Sequence, residues 1–292
     1  MIERSQMARR EEGLASGSRI SSLPIVSAWV GGELSYLEKL CLTSMVSAGH
    51  ETILYCYRET PGVPNGVEIR DAAQIMPEEQ FSQHENGSYA LGSDFFRYKL
   101  FASFPCIWVD MDMLLLHPIT QQEDYILGWE DETSINNAVL SIPAESQMLR
   151  ELVSLISKTP FFAPWWDEAQ RRHQEEAVQR EAGLALSDLP WATTGPRLVT
   201  YLAIKHGVAG FALPSDVFYP VHWQDYRIPF EPGDPVSAKL TERTIGVHFW
   251  NHMLGDLKEN PAVDSFVAGQ CRRHGIPLPG AGGGDGDART AI

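Results

Sequence analysis

Residues 23–57 commit the chain to a particular kind of sheet. LPIVSAWV (23–30) is a buried-strand pattern and GGE turns the chain. LSYLEKLCLTSMVSAGH (34–50) then repeats apolar residues at Leu37, Leu40, Cys41 and Met45 until Gly49 stops it, and ETILYCY (51–57) is a second strand. Strand, helix and strand in so short a span make a βαβ unit, and parallel strands joined by a crossover helix imply a parallel sheet covered by helices.

The same alternation continues. GVEI (66–69) is extended, SDFFRYKLFASF (93–104) predicts a helix with Ser93 as N-cap, and CIWVD (106–110) predicts a fully buried strand. Further strands are expected at YILGWE (125–130), NAVLSI (137–142), GFAL (210–213) and TIGVHF (244–249). The stretch from Glu145 to His206 is mostly helical, and EAQRRHQEEAVQREAG within it presents a charge-alternating, solvated face. The expectation is an α/β protein with one domain over residues 22–278, carrying a helical insertion at about 145–190. Disordered ends are expected at 1–21 and 279–292, the latter rich in Gly and Asp.

Charge and cysteine use exclude several classes of partner. The formal net charge is −15 and no block of Lys and Arg could neutralise a phosphate backbone, so neither nucleic acid nor an anionic lipid surface is expected as a partner. The 4 cysteines, Cys41, Cys56, Cys106 and Cys271, form no CxxC pair, so they read as buried free thiols. No stretch reaches the length of a membrane span, and a cytoplasmic location is expected.

Against this background FPCIWVDMDMLLLHP (104–118) stands out, because two aspartates interrupt an apolar run. In extended chain Asp110 and Asp112 point to one side and Met111 to the other. They follow a central strand, hence lie at the sheet edge where open α/β folds bind ligands. Two carboxylates there repel unless they share a cation, and Mn²⁺ or Mg²⁺ would satisfy them while leaving room for phosphate oxygens. The plainer alternative is one aspartate capping the strand and the other facing water. A second DxD occurs at Asp285-Gly-Asp287 in the tail.

The segment GSDFFRYKLFASFPCIWVDMDMLLLHPI resembles the SD-x-x-RY and DxD region of glycosyltransferase family 32. IVSAWVGGELS is similar to that family's first strand, TTGPRLVT to its TGP helix motif, and FYPVHW and GVHFWNHML to its C-terminal motifs. The chain departs from the pattern at Phe104-Pro105-Cys106, where the family usually has Gly-Gly. The resemblance implies a GT-A-like, Rossmann-like fold with a mixed, mostly parallel sheet. It also implies retaining transfer of a sugar from a nucleoside-diphosphate sugar to a glycan or lipid-linked acceptor, with Mn²⁺ or Mg²⁺ as cofactor. An acceptor carried on lipid would bring the protein to a membrane surface.

It further implies roles for matched residues. Trp29 ends the first strand, where its indole can stack on the nucleotide base; a core tryptophan is the alternative. Asp94 would meet ribose or sugar hydroxyls and Arg97 the sugar or its phosphate, for which a guanidinium is suited. Asp110 would bridge ribose, sugar and metal, Asp112 would hold the metal against the diphosphate, and His248 would complete the metal site. Trp250, Asn136, Asn137 and Gly195, which with Pro196 opens a helix, are expected on the donor side, and no catalytic base is assigned. PFFAPWW (160–166) is expected either to cover the acceptor or to pack the insertion. Two rivals are a non-catalytic nucleotide-sugar or glycan-binding module of the same fold, and a haloacid-dehalogenase-like phosphatase. The latter lacks its later acidic pair here.

Overall fold

The computed structural model describes residues 19–82, 88–120, 125–158, 161–180 and 189–279. The expected disordered ends, and with them the Asp285-Gly-Asp287 motif, therefore lie largely outside the described residues. The chain order is β1 (Ile25–Trp29), α1 (Tyr36–Ser47), β2 (Thr52–Cys56), β3 (Val67–Asp71), α2 (Ala90–Ser103), β4 (Ile107–Val109) and β5 (Met113–Leu115). It continues with β6 (Ile126–Trp129), β7 (Ile135–Ser141), α3 (Gln147–Ile156), α4 (Glu168–Arg180) and α5 (Pro196–Lys205). Short elements close it: β8 (Ala212–Leu213), α6 (Ser215–Phe218), β9 (Gly246–His248), α7 (Asp256–Glu259) and α8 (Phe266–His274).

The strands form a 7-stranded sheet in the order β3-β2-β1-β4-β7-β6-β8. β1 pairs in parallel with β2 and β4, β2 with β3, and β6 with β8, while β7 runs antiparallel between β4 and β6. The α/β architecture with a mixed, mostly parallel sheet is thus as expected. Its strands read as continuous apolar runs because both faces are covered: α1, α8 and β5 with β9 pack on one side, and α2, α3 and α5 on the other. α1 starts at a capping box in which the Ser35 hydroxyl accepts from Leu37 N at 3.2 Å in the first turn and the Glu38 carboxylate accepts from Ser35 N at 2.8 Å.

Two local expectations are corrected. Ser93 is not an N-cap: α2 begins at Ala90, and Ser93 N already donates to Tyr89 O at 2.9 Å inside the helix. Gly92 lies within α2 with the Phe81 ring packed against it, where a Cβ would stand 2.2 Å from that ring. Asp94 consequently sits past the first turn. The DxD is not extended strand either. β4 ends at Val109, and Asp110 to Asp112 form a turn closed by Met113 N donating to Asp110 O at 3.0 Å.

After that turn the chain enters a second, 2-stranded sheet that the sequence did not announce, with β5 antiparallel to β9. Its register sets Met113 opposite His248. All 4 cysteines are buried free thiols. Among the described residues no helix is long and apolar enough to cross a membrane.

Candidate active site

The β5–β9 pairing explains why His248 meets the DxD. With Met113 opposite His248, Phe249 N donates to Asp112 O at 3.0 Å, and His248 Nε2 comes within 3.1 Å of Asp112 Oδ1. Trp250 then adopts a left-handed backbone, φ 54°, ψ 47°, unusual for a bulky residue. That bend aims Asn251 N at Asp112 Oδ2, 2.8 Å away. The Trp250 indole is buried, donates to Val221 O at 3.0 Å and lies 4.1 Å from the His248 ring, so it fixes the imidazole.

Asp110 is held by different partners. Trp108 Nε1 donates to its Oδ1 at 2.6 Å, and Arg97 Nη2 stands 3.2 Å from the same oxygen. Burial pushes the Asp110 carboxyl up while Arg97 opposes the rise. Burial also works against the Asp112 anion, yet the charge and hydrogen bond of His248 and the Asn251 amide outweigh it and hold its pKa down to about 2. For His248, burial disfavours the cation, but the charge of Asp112 and its hydrogen bond raise the pKa above the ordinary imidazole value.

One ligand atom each from Asp110, Asp112 and His248 lies within 4.8 Å of the others. Two carboxylates and an imidazole are a donor set for Mn²⁺ or a similar hard divalent ion. Among the described residues the buried Nδ1 of His248 has no hydrogen-bond partner, so they do not supply the second contact that usually steadies a ligating imidazole. The two carboxylates and the imidazole Nε2 nonetheless form a donor set that fits a divalent metal.

Behind this trio the SD-x-x-RY and TGP motifs interlock. Asp94, 7% exposed, accepts from Asn137 Nδ2 at 2.7 Å through Oδ1 and from Thr194 Oγ1 at 2.8 Å through Oδ2. Arg97, 3% exposed, donates through Nε to Ser93 O at 3.1 Å and through Nη1 to Asn137 O, leaves Nη2 between Asp94 and Asp110, and lies over the Trp108 ring. Tyr98 Oη donates to Thr194 O at 2.8 Å. Gly195 precedes α5 as its N-cap with the chain pressed onto Asp94: a Cβ would stand 2.9 Å from Asp94 Oδ2 and 3.0 Å from Asn137 Nδ2. Gly195 thus serves close packing beneath the site. Asp94 and Arg97 border the cleft, but their polar atoms are engaged in building it.

The cleft itself has a volume of about 870 Å³, near the upper end for sites that enclose one small ligand, roughly 300–1,000 Å³. Trp29 lines one end, where its Nε1 donates to Gly32 O at 2.9 Å; Asp110, Asp112 and His248 line the middle; Glu130 and Trp223 line the other end. Asn136 and Asn137 both face the cleft, and both amides are occupied, Asn136 Nδ2 by Glu130 Oε2 at 2.7 Å. PFFAPWW contributes none of the lining side chains. Its Phe161 and Ala163 are buried and Trp165 packs on Tyr201 and Arg197, so the described part of this patch is packing for the insertion. The exposed aromatics at the cleft are instead Trp191, Trp223 and Tyr89. Sequence reasoning missed Glu130 and Trp223. Glu130 was detectable as an acidic residue ending a predicted strand, at the same sheet edge as the DxD, and Trp223 as the last residue of the FYPVHW motif, which the structure places at the start of a short 3-10 helix, Trp223–Asp225.

Comparison with known proteins finds likeness over part of the chain. Residues 187–274 match the alpha 1,4-glycosyltransferase conserved region. Lactosylceramide 4-alpha-galactosyltransferase of Pongo pygmaeus is 26% identical over 172 residues, covering 54% of this chain and 66% of that protein. The Homo sapiens protein of that name is 26% identical over 172 residues, 54% of this chain and 41% of its own length. The Rattus norvegicus protein is 26% identical over 187 residues, 58% of this chain and 44% of its own length. The chain therefore spans less than two thirds of the length of these relatives. The solved structure of PaToxG Glycosyltransferase aligns with a TM-score of 0.39 and 14% identity over 70% of this chain and 78% of that one.

Proposed function

We propose that this protein is a metal-dependent, retaining glycosyltransferase of GT-A type that moves a hexose from a nucleoside-diphosphate sugar to a hydroxyl of a glycan or lipid-linked acceptor. The observation that carries the reading is the meeting of Asp110, Asp112 and His248 in one cleft at the ends of β1 and β4. The similarity to the alpha 1,4-glycosyltransferase conserved region and to lactosylceramide 4-alpha-galactosyltransferases supports it, and makes UDP-galactose the first donor to try.

Asp110, Asp112 and His248 would hold the metal. When bound, a divalent ion supplies positive charge that stabilises the departing diphosphate. The chain's own residues do the rest. Trp29 offers an indole to the base, and stacking of this kind is worth roughly 1–3 kcal/mol. Arg97 and Trp108 keep Asp110 oriented, while Trp250 and the Asn251 amide keep His248 and Asp112 in place, so the ligands need not rearrange when the donor arrives.

Thermal melting with UDP, GDP and CDP, each with Mn²⁺ or with chelator, tests the reading, because a ligand of the native state raises the midpoint by mass action. A Mn²⁺-dependent rise with one nucleotide that is absent in Asp112→Asn, together with turnover of the matching donor sugar, is expected. Absence of any nucleotide shift in the wild type overturns it, and binding without turnover reduces the protein to a nucleotide-sugar-binding module.

A further inference from the structure

The far end of the cleft has a chemistry of its own. β6 runs parallel to β4, with β7 between them, so β6 ends at the same sheet edge as the DxD. Two strand spacings separate β6 from β4, about 10 Å. Trp29 ends β1, on the opposite side of β4. The cleft therefore crosses the sheet with the DxD between a tryptophan on one flank and Glu130 on the other.

Glu130 is set in a defined orientation. Asn136 Oδ1 accepts from Ala138 N at 2.7 Å, which fixes the amide so that Nδ2 must donate to Glu130 Oε2. Among the described residues Oε1 has no hydrogen-bond partner, and Glu130 lines the cleft. Burial raises its pKa, opposed by the Asn136 hydrogen bond. Beside it Trp223 is 39% exposed and also lines the cleft, and its ring lies 5.3 Å from His222. One ligand atom each from Glu130, Asp131 and His222 lies within 4.8 Å of the others. Asp131 Oδ1 is already engaged by Thr133 and Ser134.

We propose that this end of the cleft is the acceptor subsite: a pyranoside lies on the Trp223 indole, and its attacking hydroxyl donates a hydrogen bond to Oε1 of Glu130. The proposal rests on the glycosyl-transfer reading and adds the class of ligand at the second subsite. An exposed indole beside a fixed carboxylate matches a sugar ring, which has an apolar face and a hydroxyl edge. An alkyl chain laid there would instead desolvate the Glu130 carboxylate without satisfying it, which is costly.

The test uses the full chain saturated with Mn²⁺ and the nucleotide that raises its melting point. Methyl α- and β-glycosides of galactose, glucose, mannose and N-acetylglucosamine, and methyl β-lactoside, are titrated by isothermal titration calorimetry. At least one is expected to bind the wild type, with at least tenfold weaker binding to Trp223→Ala and a clear loss in Glu130→Gln. The nucleotide-induced melting shift should stay intact in both variants. Trp223 is exposed and Glu130→Gln conserves shape, so neither change is expected to unfold the chain. No glycoside binding to the wild type, or binding indifferent to both variants, overturns the subsite. Loss of the nucleotide shift in the variants would move these residues to the donor side and equally overturn it. Failure of the wild type to respond to any nucleotide would instead remove the transferase reading beneath it.

Discussion

Replacing Arg97 by Met removes the cation between Asp94 and Asp110 while keeping much of the side chain's length. Nη2 lies 3.6 Å from Asp94 Oδ1 and 3.2 Å from Asp110 Oδ1. At an effective dielectric constant near 20, each attraction is about 5 kcal/mol before desolvation is subtracted. Breaking a buried pair by deleting one partner costs about 3–5 kcal/mol, because the remaining charge is stranded. Two features favour the lower end: the Asp110 side chain is 27% exposed and can recruit water, and Asp94 keeps Asn137 and Thr194. A loss of about 3 kcal/mol, at roughly 2–4 °C per kcal/mol for a chain of this size, corresponds to a melting point lower by about 6–12 °C. Melting in chelator measures it. Adding Asp94→Asn to Arg97→Met should recover part of the loss, the signature of coupled neighbours. An unchanged melting point accompanied by a tenfold or greater fall in nucleotide affinity would refute the reasoning, since Arg97 would then serve the diphosphate and not its neighbours.

Other consequences are equally open to measurement. Gly195→Ala should destabilise by about 1–3 kcal/mol in denaturant titration, as its Cβ would meet Asp94 Oδ2 at 2.9 Å. Lys258→Met should cost about 2–4 kcal/mol by the same assay, because Glu38, 1% exposed, would lose the ammonium 2.6 Å from its Oε1. Without metal, Asp112, depressed to about 2, contributes stability above the unfolded carboxylate value of about 3.9 and loses it as pH falls toward 2. His248, raised, contributes fully below its unfolded value of about 6.5 and loses that as pH rises through its folded pKa. Melting in chelator should therefore decline on the alkaline side, and His248→Asn should flatten that decline. With Mn²⁺ the trend reverses, since ligation needs the neutral imidazole.

Local signals made the sheet readable and left the site's wiring hidden. The β1–α1–β2 unit is written in consecutive residues: both strands are seen within two residues of where the pattern puts them, and α1 ends at Ser47, two residues before the Gly49 stop. β5 was not readable: MLLL continues the apolar run of β4, and only the turn at Asp110 to Asp112, closed by a backbone hydrogen bond, separates them. Ser93 misled because a serine after glycine is a common helix start, whereas Gly92 is explained by the Phe81 ring against it. The DxD, Arg97 and His248 were identifiable as candidates from residue type and resemblance. That Arg97 spends its three nitrogens on Ser93, Asn137 and the two aspartates follows from distances that sequence spacing does not carry.

The matched conserved region, residues 187–274, contains Gly195, His248 and Trp250 but none of Asp94, Arg97, Asp110 or Asp112. Neither half of the chain holds a complete site, so the function must be encoded in the contacts that join them. Two such joints meet directly at the site. Thr194 and Gly195 clamp Asp94, and β9 pairs with β5. The second is the more exacting, because a strand slipped by one residue turns every side chain to the opposite face. Slipping β9 by one against β5 would send His248 away from Asp112 and bring Val247 or Phe249 in its place. The two carboxylates would then face an apolar side chain with no imidazole to share a cation. The short sheet therefore acts as the register device for the metal ligands, and the buried packing of Leu114, Val247 and Phe249 is what holds that register.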